Sequence, residues 1–456
     1  MPMDDPLDNV TTRRLLARAA AAQHGGRLPS LTVAVSDDRH LLWSAGRGRV
    51  HGDRPTTDVQ YRIGSITKTF TAVLVLQLRD DGLLRLSDPI DRWLPRSRAL
   101  AGRNIADLLC HAGGIRAETS PPWWERTPGR TWEQLTADLD DDGARDSTRG
   151  RFHYSNMGYA ALGHLVSRLR GGAWHDVLAE RVLAPLGLRR TTVAPQQPAA
   201  EGWAVHPWSD TLIAEPVHHT GAMAPAGQLW STAEDLTAWG RFLLGDSGDV
   251  LTASTLEEMR QPRLATGRAS DGTYGLGLEV TAEDRRTIIG HGGSMPGFLA
   301  QLRVDCDERL AAVALANATA GLDPALPDDL IDTVRRRRPR IVDEWEPRGT
   351  GERDLTELVG VWYWGPRPYT VATTQERDVL TLDAIGQPGR HTRLDLRGEQ
   401  LIGRGGYFDG EPLTVRRRDD GTVSHLELAS FVFSRQPYEP VDIVPGGSAT
   451  HGDTSR

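Results

Sequence analysis

The sequence predicts an α/β sandwich of the α+β kind, with strands from both chain ends sharing one antiparallel sheet, followed by a small C-terminal β-barrel. Three observations carry that expectation. Apolar strand-like runs occur near residue 31 and again after residue 273, with helical periodicity dominating between them. Helix-favouring segments lie at 14–23 and 323–337, so the chain's two extremities are expected to cover the sheet they help to build. Beyond residue 355, short strand candidates alternate with Gly and Asp-Gly turns, as in a small closed sheet.

In chain order, residues 14–23 are rich in arginine and alanine, both good helix formers. Leu31-Thr32-Val33-Ala34-Val35, a polar turn at Asp37-Asp38 and Leu41-Leu42-Trp43 read as a hairpin. Tyr61-Arg62-Ile63-Gly64 leads into a helix from Ser65, with Phe70, Val73, Leu74 and Leu78 at helical spacing. That helix is apolar over most of its circumference, which predicts burial between layers. It stops at Asp80-Asp81-Gly82, where glycine suits a left-handed cap. Further helices are expected at 104–111, 157–170, 174–184 and 232–244, the last opening on the capping-box pattern Ser231-Thr232-Ala233-Glu234.

From about 273, Tyr274–Leu278, Thr287–Ile289, Leu299–Val304 and Leu310–Leu315 read as successive antiparallel strands, before the helix at 323–337. These elements make up a domain at 10–338. Residues 339–354, charged and broken by proline and glycine, read as a linker, and 355–440 as the β-barrel-like domain. Within it, Trp362-Tyr363-Trp364 alternate faces on one strand, which places them in the barrel core. The Gly-, Ser-, Thr- and His-rich stretch at 441–456 reads as a disordered tail.

Composition narrows the function classes. A chain of 456 residues with 39% hydrophobic and 25% charged residues is globular and long enough for two domains. A net charge of −8 offers no basic field for nucleic acid. No run approaches the ~20 apolar residues of a membrane span, and the acidic Met1-Pro2-Met3-Asp4-Asp5 start lacks the form of a signal peptide. With two isolated cysteines, Cys110 and Cys306, the expected setting is the cytoplasm. His218 and His219 are sequence neighbours facing different ways, and no Cys/His spacing supports zinc, so neither metal nor cofactor is expected. The oligomeric state is not legible.

The chemistry begins with one residue. Lys68 is the only lysine; every other member of the 53-residue Lys-plus-Arg set is arginine. Arginine keeps its proton at any useful pH, whereas a buried lysine can be tuned to release it. Ser65 lies three residues earlier, roughly 4.5 Å along a helix axis and on the same face. A serine nucleophile needs such a base. Two further motifs follow. Tyr154-Ser155-Asn156 precedes a helix, and His291-Gly292-Gly293-Ser294 sits on or beside a strand. Tyr154 becomes a plausible base beside positive charge, and Asn156 is suited to orienting Lys68 and a substrate carbonyl. Paired glycines let a strand backbone approach a ligand closely, with the N–H groups of Ser65 and Ser294 as oxyanion donors.

Together and in this order, the motifs resemble the serine β-lactamase and penicillin-binding superfamily, with its Ser-x-x-Lys signature. The closer resemblance is to the class C branch, with its D-aminopeptidases, family VIII-type esterases and alkaline D-peptidases. Leu108–Ile115, Pro185–Leu188, Ala226–Thr232, Tyr274–Gly277 and Gly290–Gly293 look like further landmarks of that family, extending the likeness over about 10–335. The resemblance implies a five-stranded antiparallel sheet flanked by helices, an all-α region beside it and the site at their junction. It implies Ser65 as the acylated nucleophile, Lys68 and Tyr154 as the proton-transfer pair, and Asn156, His291, Gly293 and Ser294 as substrate-binding and oxyanion residues. His291 stands where lysine is usual, which lowers the expected affinity for carboxylates. The expectation is a serine hydrolase acting through an acyl-enzyme on a small ester, amide or short D-peptide. The alternatives are a penicillin-recognising D,D-carboxypeptidase or weak β-lactamase, and a non-catalytic sensor or scaffold.

Overall fold

The computed structural model describes residues 7–94, 97–245, 250–267, 272–283, 286–341, 344, 355–374, 379–386 and 389–439. The chain divides into two compact units, Met1–Ile341 and Val342–Arg456. Most of the linker expected at 339–354, and the whole tail expected at 441–456, fall outside the described residues.

The first unit is built on helix α1 (Asn9–Gly25), the hairpin β1 (Ser30–Ser36) and β2 (Leu41–Gly48), and helices α2 (Thr67–Asp80), α3 (Asn156–Arg170) and α4 (Ala233–Leu244). Strands β3 (Leu264–Ala265), β4 (Thr273–Tyr274), β5 (Glu279–Glu283), β6 (Arg286–Met295), β7 (Phe298–Asp305) and β8 (Leu310–Ala316) follow, closed by α5 (Leu326–Arg335). The sheet runs β2-β1-β8-β7-β6-β5-β4-β3. The N-terminal strand β1 lies antiparallel to β8, Leu31 opposite Ala316, so one sheet does join the two ends of the unit.

Strand periodicity sorts β8 between two layers. Ala311, Val313 and Leu315 join the large core that contains α2 and α4 residues, whereas Ala312, Ala314 and Ala316 pack with α1 and α5. Helix α2 is buried from Thr67 to Leu78. It is pinned by Phe70 stacked on Trp239 at 3.8 Å and by the Trp239 indole N–H donating to Thr69 at 2.9 Å.

The sheet has eight strands rather than five, because short β3, β4 and β5 extend its edge beyond β6. The helix expected from Ser65 starts at Thr67 instead. Gly64–Ile66 form a 3₁₀ turn, since Gly64 at φ +50° cannot belong to a right-handed α-helix. The strand expected over Tyr274–Leu278 ends at Tyr274; Gly277 turns at φ +85°, where a Cβ would lie 2.3 Å from that of Ala72. Helices at Trp132–Asp142 and Ala253–Arg260 were not legible from periodicity.

The second unit holds strands β9 (Gly360–Trp364), β10 (Arg367–Thr373), β11 (Val379–Ala384), β12 (Thr392–Arg397), β13 (Gln400–Arg404), β14 (Pro412–Arg417), β15 (Val423–Leu428) and β16 (Phe431–Ser434). They form a closed barrel in sequence order, sealed by Tyr363 opposite Ser434. Trp362 is buried with Tyr369, Leu394, Leu426 and Phe433 in its core, while Tyr363 and Trp364 are half-buried.

Candidate active site

Ser65 sits on the 3₁₀ turn between the two-residue strand Tyr61–Arg62 and α2, so the nucleophile candidate precedes the helix by two residues. The turn is pressed against β6. A Cβ on Gly293 would lie 1.9 Å from the Ile63 carbonyl oxygen and 3.2 Å from the Ser65 nitrogen. A Cβ on Gly64 would lie 2.5 Å from the Ser294 nitrogen. Only glycine at both positions permits this approach, which sets the backbone of the Ser65 turn directly against that of Gly293 and Ser294.

Lys68, one turn on, is fully buried. Its Nζ lies 2.8 Å from Ser65 Oγ, 2.7 Å from Asn156 Oδ1 and 2.7 Å from the Ala226 carbonyl. Burial lowers its pKa to about 7, against an opposing pull from Glu118 and Glu125. Two of the three partners are carbonyl oxygens that can only accept, and the third is a hydroxyl that can accept or donate. An ammonium can therefore donate to all three. A neutral amine can donate to Asn156 and Ala226 and turn its lone pair to the Ser65 hydroxyl.

Ser155 caps α3 through the Gly158 amide at 2.9 Å, which sets Asn156 at the first position of the helix, on Lys68. The Asn156 amide donates to Glu118 Oε1 at 2.6 Å, and the Trp124 indole donates to Glu118 Oε2 at 2.7 Å. Tyr154 presents its ring 4.9 Å from Lys68 Nζ. Its other flank is His111, with ring centroids 4.2 Å apart. His111 Nδ1 accepts the Ser155 amide at 3.0 Å, and burial keeps the ring neutral.

His291 is buried at 2% exposure, and both ring nitrogens have protein partners. Nδ1 donates to the Gly292 carbonyl, leaving Nε2 to accept from the Tyr274 hydroxyl at 2.9 Å. Burial lowers its pKa to about 4. Acidic charge gathers instead on the segment after His111. Burial, reinforced by the neighbouring Glu118, raises Glu125 to about 7, while the Trp123 indole, Arg62 and Lys68 pull it down.

All seven residues singled out from the motifs thus lie in one cluster or on the backbone that frames it. Sequence reasoning missed Glu118, Glu125 and the Ala226 carbonyl. Glu118 sits in a loop and Glu125 on the three-residue 3₁₀ turn Trp124–Arg126, neither with periodicity to read. The third acts through its backbone, which no side-chain pattern reveals, although Ala226 opens one of the family-like stretches. Among the described residues, no group of three His, Cys, Asp or Glu is placed to hold a metal ion, and no helix is long and apolar enough to cross a membrane.

Comparison with known proteins gives the family. The family model described as Beta-lactamase matches residues 15–334, and one described as a domain of unknown function (DUF7586) matches 351–435. Penicillin-binding protein 4 of Amycolatopsis lactamdurans is 30% identical over 276 residues, covering 57% of this chain and 65% of that protein. Beta-lactamase-like protein 2 of Dictyostelium discoideum is 26% identical, with 60% of this chain and 53% of that protein covered. The chain thus spans between half and two thirds of the length of these curated relatives. Among solved structures, a D-stereospecific amidohydrolase from Streptomyces sp. superimposes with a TM-score of 0.59 at 27% identity, over 73% of this chain and 99% of that one. An octameric penicillin-binding protein homologue from Pyrococcus abyssi shares the fold, with a TM-score of 0.63 at 19% identity over 93% and 100% of the two chains.

Proposed function

Because the chain belongs to the beta-lactamase family, we propose that it is a serine hydrolase that opens amides of D-amino acids bearing a free amino group, through an acyl-enzyme on Ser65. The observation that carries this reading is the solitary, buried Lys68 amine on Ser65 Oγ, with a pKa lowered to about 7.

Ser65 Oγ attacks the carbonyl carbon as its proton passes to the lone pair of neutral Lys68. Asn156 and Ala226 keep that amine in place, and the amides of Ser65 and Ser294 hold the oxyanion. The proton then moves from Lys68 through the Tyr154 hydroxyl to the departing nitrogen. Water attacks the ester formed on Ser65, and the same groups return the proton to Oγ. His291 works through Gly292, steadying the strand whose amide faces the oxyanion, rather than by touching substrate.

Two features support an amine-bearing substrate. Burial and the nearby Glu118 disfavour the charged form of Glu125, which a cation beside it would relieve. No lysine stands at the motif position now held by a neutral histidine, so a substrate carboxylate finds little charge there. The D-preference and the amide bond rest on likeness to the Streptomyces amidohydrolase.

The test is turnover of D-amino-acid amides, free and N-acetylated, with mass spectrometry of the trapped adduct. The expected result is an acyl group on Ser65, no turnover by Ser65→Ala, and a preference of at least ~10-fold for the free amine, the scale of one charge-assisted hydrogen bond. A protein that hydrolyses no ester or amide and forms no adduct would overturn the hydrolase reading. A long-lived penicillin adduct on Ser65 without amide turnover would place the chain with the penicillin-recognising enzymes instead.

A further inference from the structure

In the second unit, consecutive antiparallel strands put alternate connections at the same mouth of the barrel. The connections β9–β10, β11–β12, β13–β14 and β15–β16 share one mouth, and each brings one residue to a single cluster. Trp364 comes from the end of β9, Arg390 from the loop before β12, Tyr407 from the 3₁₀ turn after β13 and Phe431 from the start of β16. The Arg390 guanidinium carbon lies 4.3 Å from the Tyr407 ring centroid, 4.7 Å from Phe431 and 5.7 Å from Trp364. Tyr407 meets Phe431 nearly at right angles, 84° at 5.7 Å, and Trp364 meets Phe431 at 54° and 5.0 Å, so the rings form walls rather than a stack.

This is an aromatic box around a cation, at the end of a barrel where ligands commonly enter. Tyr407 is 61% exposed, an uncommon placement for so large a ring. The described connections at the opposite mouth, Gly398–Glu399 and Arg418–Thr422, carry no aromatic residue. A second arginine shows what a purely structural contact looks like in this unit. Arg435 lies 3.8 Å over Trp362 but also donates to the carbonyls of Glu357, Val359 and Val361, which fasten it. Arg390 has no such set of carbonyls among the described residues and is held by ring faces.

We propose that this mouth is a binding site for an organic cation of the quaternary-ammonium or guanidinium class, and that Arg390 occupies it as an internal stand-in which the ligand displaces. The proposal is independent of the hydrolase reading. Opening the box strengthens binding, and removing a wall abolishes it.

The test is calorimetric titration of the full chain with choline and with its uncharged tert-butyl analogue, at fixed ionic strength. Arg390→Ala and the milder Arg390→Gln are expected to bind choline at least ~10-fold more tightly than the wild type, the scale of desolvated ring–cation contacts. Adding Tyr407→Ala to either is expected to erase the gain, and the uncharged analogue is expected to bind at least ~10-fold more weakly than choline. Arg390 variants that melt like the wild type yet bind no tighter would overturn the proposal. So would a gain that survives Tyr407→Ala, or equal binding of the uncharged analogue.

Discussion

At the scale of residues, the proposed chemistry turns on what surrounds one amine. Among the described residues, Lys68 gains no carboxylate within hydrogen-bonding distance; its three partners there are a hydroxyl and two carbonyl oxygens. Burial therefore dominates, and the charged form is disfavoured. The sign follows directly. Below about pH 7 the amine is protonated and cannot accept the Ser65 proton, so kcat/KM is expected to rise as pH passes upward through about 7. Glu125, titrating over the same range, adds to the same rise by becoming anionic. Lys68→Arg keeps the charge but removes the titration; acylation should fall by at least ~100-fold and the rising limb near pH 7 should vanish. Near-normal turnover by this variant would mean that a fixed charge suffices.

Ser65, Lys68, Tyr154 and Asn156 were legible because short spacings carry them, three residues within one helical turn and two across a helix cap. Glu118 was not legible. It reaches Asn156 from a loop 38 positions earlier in the chain, a contact that only the folded chain creates.

At the scale of elements, the site depends on how closely β6 meets the 3₁₀ turn. A methyl at Gly293 collides with backbone, the Ile63 carbonyl at 1.9 Å, whereas at Gly292 it meets the flexible end of Gln301 at 3.2 Å. Gly293→Ala is expected to cost ~1–3 kcal/mol of stability. It should also lower turnover by about 10²-fold, as the Ser65 and Ser294 amides move apart. Gly292→Ala should keep most of both. Parallel thermal melts and kinetics of the two variants check the contrast; equal tolerance would show that the approach is not what positions the amides. The strands themselves were readable from apolar alternation. The 3₁₀ turn was not, because Ser65 fits a helix pattern and only the glycine before it, in the left-handed region, breaks the helix.

At the scale of the whole molecule, the sheet built from both ends of the first unit follows from strand composition, and the barrel from evenly spaced turns. The three short strands that widen the sheet lie below the length at which periodicity speaks. Each unit has its own apolar core, one centred on α2 and the sheet, the other on Trp362, Leu394 and Leu426. Scanning calorimetry is expected to resolve a transition for each. Leu426→Ala, which empties a fully buried site, should lower only the barrel's transition and leave hydrolysis at Ser65 unchanged. A single transition that shifts as a whole would show the cores to be one cooperative system.

The solitary Lys68 has one more consequence, and it is spectroscopic. A protein grown on isotopically labelled lysine carries its label at a single side chain, so the spectrum of a 456-residue chain reduces to one lysine signal. With the label at Nζ, that signal comes from the atom whose protonation the proposed chemistry depends on. It can be followed through pH, substrate binding and acylation with no assignment step, making this chain its own reporter on the proton transfer proposed for it.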